Sequence, residues 1–65
     1  MTIKEAFEAF AVLLEERSKE YDRYVAESRS SYPGEIGRLA SVNDSRKAND
    51  YREIASLARK VAKQV

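Results

Sequence analysis

At 65 residues the chain makes one small domain (1–65), and a domain of that size buries only about 60% of the surface its unfolded chain exposes. It contains no cysteine and no histidine, which excludes disulfide staples, thiolate metal sites, and both the commonest metal ligand and the commonest general base. With 43% apolar and 35% charged residues and a net charge of only +1, the composition suits a soluble amphipathic helical protein and lacks the basic excess of a generic nucleic-acid binder.

The first predicted element is a helix over about 3–30. Thr2-Ile3-Lys4-Glu5 reads as a capping box, in which the threonine accepts from the Glu5 N–H and the glutamate reaches back. Ile3, Phe7, Phe10, Leu14, Arg17, Tyr21 and Tyr24 follow at alternating steps of four and three, one stripe along a helix. The uncharged run Ala9–Leu14 is far too short for a membrane span and has no signal-peptide flank. A cytoplasmic location without membrane contact is the expectation.

Tyr32-Pro33-Gly34-Glu35 then breaks the pattern. Proline fixes φ and glycine accepts positive φ, which fits the two central positions of a type II turn. The return arm, about 35–63, is also helical. Tyr51, Ile54, Ala58, Val61 and Val65 repeat the four-three alternation, with Leu57 and Ala62 alongside. Asn43-Asp44-Ser45 is a run of cap-forming residues, so a break is expected near 43–45. The fold class is therefore all-α, an antiparallel helical hairpin that assembles into a helical bundle. In length and layout alone it resembles the protomer of the Rop-type plasmid RNA-binding four-helix bundles, a resemblance that implies architecture and not function.

Folding about Pro33-Gly34 sets residue i roughly opposite residue 67 − i. Leu14 then meets Ile54, Phe10 meets Leu57, and Phe7 meets Lys60 and Val61. Ile3, Phe7, Phe10, Leu14, Tyr51, Ile54, Leu57 and Val61 become the expected core and interface residues. A two-helix hairpin leaves part of such a stripe uncovered, so a homo-oligomer, most simply a dimer, is expected, with a protein partner as the other occupant.

The loop-side half is aromatic and polar. Arg17, Tyr21, Tyr24, Arg46 and Lys47 form a candidate ligand site, where tyrosine rings could stack on a base and the cations could meet phosphate. The competing reading is a wet subunit interface of tyrosines and arginine stems. Glu16, Glu20, Asp44 and Asp50 raise a weaker possibility, a metal-dependent nucleotide hydrolase, but they are interleaved with Arg17, Lys19 and Arg23 as on a solvated face. No catalytic residue, metal ligand or cofactor is assigned. The function expected from these residues is that of a non-enzymatic interaction protein: an adaptor, an inhibitor, or an accessory protein of the phage or plasmid type. The alternative is a binder of a nucleotide or short nucleic acid.

Overall fold

A computed structural model describes all 65 residues as three helices and no strands: α1 (Ile3–Ser31), α2 (Gly34–Ala40) and α3 (Val42–Gln64). The two long helices, α1 and α3, pack antiparallel, and α2 closes one end. Helix α1 starts with the threonine half of the capping box, while the Glu5 side chain reaches back to the Thr2 hydroxyl and not to its backbone N–H. Thr2 is extended at φ −83° and ψ 165°, its Oγ1 accepts from the Glu5 N–H at 3.1 Å, and its hydroxyl donates to Glu5 Oε1 at 3.2 Å.

The chain reverses at Pro33-Gly34 with the φ signs its chemistry favours, although no Glu35 N–H to Tyr32 carbonyl bond closes a turn and Gly34 already opens α2. Pro33 sits at φ −73° and ψ 150°, and Gly34 has φ +64°, the only positive φ in the chain. The return arm is two helices, as expected, but the break falls at Ser41 and not at 43–45. Ser41 is 1% exposed; its N–H donates to the carbonyls of Gly37 (3.1 Å) and Arg38 (3.3 Å), and its Oγ donates to the Arg38 carbonyl at 3.0 Å. Those bonds satisfy the end of α2 locally. Asn43 and Asp44 enter the first turn of α3, where Asp44 complements the positive end of the helix dipole.

The packing seam departs from the stripe read in the sequence. The buried residues of α1 are Ala11, Leu14 and Ser18, and those of α3 are Ala48, Ala55, Ala58 and Ala62. Phe7 and Tyr51 pack against this cluster from its edge and are half-buried, as is Val61. Leu14 and Phe7 thus take the inner positions expected of them. Ile3, Phe10, Ile54 and Leu57 do not: all four are exposed within the single chain. The physical reason is that alanine and serine let two helices approach closely, whereas large side chains would hold them apart. The seam keeps the four-three spacing but turns towards the small residues.

The register moves with it. Glu15 meets Arg59 and Asp22 meets Arg52, so residue i stands opposite about 74 − i and not 67 − i. The seven residues of α2 are spent in crossing the end of the hairpin, and the return along α1 begins only at Val42. The first two turns of α1 consequently run past the carboxyl end of α3. The result is a rod of 47 × 15 × 11 Å, with a radius of gyration of 14.9 Å, against about 11 Å for a compact domain of this length.

Candidate functional site: an apolar edge beside a tyrosine cluster

The two cross-helix ion pairs define one long edge of the rod. Arg59 donates to Glu15 through Nε (3.2 Å) and Nη2 (2.5 Å), and Arg52 pairs with Asp22. The Glu15 carboxyl is held below its ordinary value, first by the hydrogen bond from Arg59, which outweighs the opposing effect of desolvation, with smaller help from the charges of Arg59 and Lys19. The Arg59 guanidinium is correspondingly pushed up by its bond to Glu15.

The opposite edge gathers exposed apolar residues, with Arg17 among them on α1. At about 100° per residue, Phe10, Leu13 and Tyr24 lie on the side of the α1 seam away from Glu15 and Asp22. Ile54, Leu57 and Val61 lie on the side of the α3 seam away from Arg52 and Arg59. These two sets share one edge, where Phe10 is 48% exposed, Leu13 61%, Ile54 43% and Leu57 58%. Near its end, Ala6, Phe7 and Phe10 line a shallow apolar hollow on the overhanging part of α1. Leu13 does not belong to the four-three stripe of α1, and periodicity alone gave no signal for its place on this edge.

The tyrosine cluster continues the same edge towards the turn. Tyr21 stacks on Tyr51 with ring centroids 5.6 Å apart and planes 16° from parallel, and meets Tyr24 edge-on at 5.6 Å. Lys47 Nζ lies over the Tyr21 ring, 5.4 Å from its centroid. Arg17 pairs with Glu20 at 3.0 Å, and that bond and charge raise its pKa. Tyr21, Tyr24 and Lys47 therefore come together, with Tyr51 as a fourth member. Arg46 does not join them: it lines a separate cleft where the three helices meet.

No three of the chain's carboxylates gather as metal ligands. Glu16 and Glu20 instead line an open surface cleft with Lys19 and Arg23, and Glu20 is engaged by Arg17. No helix is long and apolar enough to cross a membrane. Comparison of the chain with protein-family models, with curated proteins and with solved structures yields no match.

Proposed function

We propose that this protein is a non-enzymatic helical interaction protein, completed by a second copy of itself along the apolar edge, and that the assembled bundle acts by binding another macromolecule. The observation that carries this reading is the exposure of Phe10, Leu13, Ile54 and Leu57 on one edge, where a stable monomer would bury such side chains. Area supports the choice of a second copy. The 7.4 kDa rod exposes 5001 Å², whereas a compact monomer of that mass exposes about 4,200 Å². The surplus of roughly 800 Å² is what each partner contributes to a standard-sized interface. A two-fold pairing of this edge is self-complementary and gives a four-helix bundle. A cysteine-free chain suits a reducing cytoplasm.

Light scattering at micromolar concentration tests the assembly. The expected mass is twice that of the chain, and Leu57→Glu should return it to one chain while far-ultraviolet circular dichroism stays helical. A wild type that stays monomeric and melts cooperatively would defeat the self-pairing and assign the edge to a different protein.

A second reading, a nucleotide stacked among the tyrosines, draws on Lys47 over Tyr21 and on the exposure of Tyr24. It is the weaker one, because Tyr21 is already stacked by Tyr51 and Arg17 is already neutralised by Glu20. Tyr21→Ala and Tyr24→Ala separate the two. On the interaction reading they lower the melting temperature or the degree of assembly. On the nucleotide reading they remove a ligand-induced rise in melting temperature.

A further inference from the structure

The cleft where the three helices meet carries a different chemistry from either part of the apolar edge. It is lined by Arg29 near the end of α1, Arg38 near the end of α2, and Ser41, Ser45, Arg46 and Asn49 from the α2–α3 junction and the start of α3. Four of the chain's seven arginines are tied to carboxylates: Arg17 to Glu20, Arg38 to Glu35, Arg52 to Asp22 and Arg59 to Glu15. Of the three that make no ion pair, two, Arg29 and Arg46, share this cleft. The third, Arg23, lies beside Glu16, Lys19 and Glu20.

Helix electrostatics account for part of this set. Arg29 and Arg38 stand in the last turns of their helices, where a cation complements the dipole. Arg46 has no such reason to be there. It is the fifth residue of α3, far from the carboxyl end that favours a cation. Glu35, bonded to Arg38 at 2.8 Å, is the carboxylate tied into the group, and both partners are exposed.

The neutral groups add donors. The Oδ1 of Asn49 is taken by Arg52 Nη1 at 3.0 Å, which leaves its amide N–H₂ free to donate. The Ser45 hydroxyl has no partner in the molecule, while that of Ser41 is spent on the Arg38 carbonyl. The base of the cleft is also held in place. A Cβ on Gly37 would come within 2.1 Å of the Tyr32 carbonyl oxygen and 3.2 Å of Arg29 Cα, so α2 lies directly on the end of α1.

We infer that this cleft is a binding site for a phosphoryl-type oxyanion, held by the guanidinium groups of Arg29 and Arg46 with Ser45 and Asn49 as neutral donors. Guanidinium forks match tetrahedral oxyanions bidentately. Arg29 and Arg46 line one cleft without a carboxylate partner, and a bound anion would supply the partner that both lack. The inference uses no residue of the apolar edge, so it stands or falls apart from the self-pairing.

The test is a titration of the full chain with inorganic phosphate, followed by two-dimensional NMR of backbone and arginine side-chain N–H groups at constant ionic strength. Saturable shifts are expected at Arg29, Ser45, Arg46 and Asn49. Each of Arg29→Gln and Arg46→Gln should weaken binding roughly tenfold or more, the scale of losing a hydrogen bond to a charged group. Arg23→Gln, an unpaired arginine elsewhere, should leave it unchanged, and circular dichroism of all three variants checks that the helices persist. A parallel titration with adenosine monophosphate and with adenosine identifies the source: tighter binding of the monophosphate than of phosphate points to a nucleotide, and equal binding to the phosphoryl group alone. Absence of saturable shifts with phosphate, or an equal loss in Arg23→Gln, would overturn the assignment.

Discussion

Leu14 and Gly37 show how much single side chains decide in a core this small. Leu14 is the one large aliphatic residue among the buried set and sits between Ala11, Ala55 and Ala58. Leu14→Ala should cost about 2–5 kcal/mol, because the alanines around it cannot collapse into the space. Ile54→Ala, on the open edge, should cost the isolated chain clearly less. Thermal unfolding at a concentration low enough to keep the chain monomeric checks the order, and an equal effect of the two would contradict the alanine seam. Gly37 is required for a different reason. Any side chain there meets the backbone of Tyr32, which cannot move aside without opening the turn. Gly37→Ala should therefore destabilise by about 1–3 kcal/mol, the scale of an overpacked site, although alanine is the better helix former. A gain in stability would show that α2 is not docked as described.

Among the elements, α2 sets the register of the whole hairpin. Seven residues bridge the ends of α1 and α3, and the Glu15–Arg59 and Asp22–Arg52 pairs hold the resulting alignment along one edge. Both pairs are half exposed, so each contributes to register more than to stability. Glu15 makes the contribution visible through pH. Its folded-state pKa lies below the unfolded one, so the stabilisation is present above the ordinary carboxylate pKa and is lost as pH falls through the folded value. The melting temperature of Glu15→Gln should sit slightly below wild type at neutral pH, and the two should converge in acid. A gap that stays constant across the acid range would show that Arg59 is not its partner in solution. The turn offers a second check on the same element. Gly34 has φ +64°, and Gly34→Ala should cost about 1–2 kcal/mol, the penalty for a Cβ in the left-handed region. Equilibrium denaturation measures it directly.

For the molecule as a whole, the balance lies between a thin seam and an apolar edge. Only nine residues are buried, and most are alanine or serine, so the hairpin gains little of the roughly 1.5–3 kcal/mol that each fully buried large side chain provides. On the proposed pairing of two copies, burial of Phe10, Leu13, Ile54 and Leu57 would supply what the single chain lacks. The melting temperature should then rise with protein concentration, as mass action requires for a folded oligomer. A melting temperature independent of concentration over two orders of magnitude would rule the assembly out as a source of stability. Leu57→Glu should abolish that dependence and leave a less stable, helical or partly helical monomer.

Local chemistry was legible in the sequence wherever a few adjacent residues determine the outcome. The Thr2–Glu5 cap, the Pro33-Gly34 turn, the helical character of both arms and the division of the return arm follow from dihedral preferences and short-range hydrogen bonds. The meeting of Tyr21, Tyr24 and Lys47 also followed, because it tolerates a shift of register. What the tertiary structure decided was which stripe of each helix faces the other. The four-three spacing is shared by Ile3, Phe7, Phe10, Leu14 and by Phe7, Ala11, Leu14, Ser18, and periodicity cannot choose between them. Close approach chose the smaller set, and the series Ala48, Tyr51, Ala55, Ala58, Ala62 was the signal for it in the sequence. The register changed for the same kind of reason: the length of chain spent in α2 depends on how Gly37 and Ser41 pack against α1. Those two decisions turned the large apolar residues outward and moved Arg46 from the tyrosines to the cleft with Arg29, because a shift along or around a helix reassigns every side chain that depends on a partner.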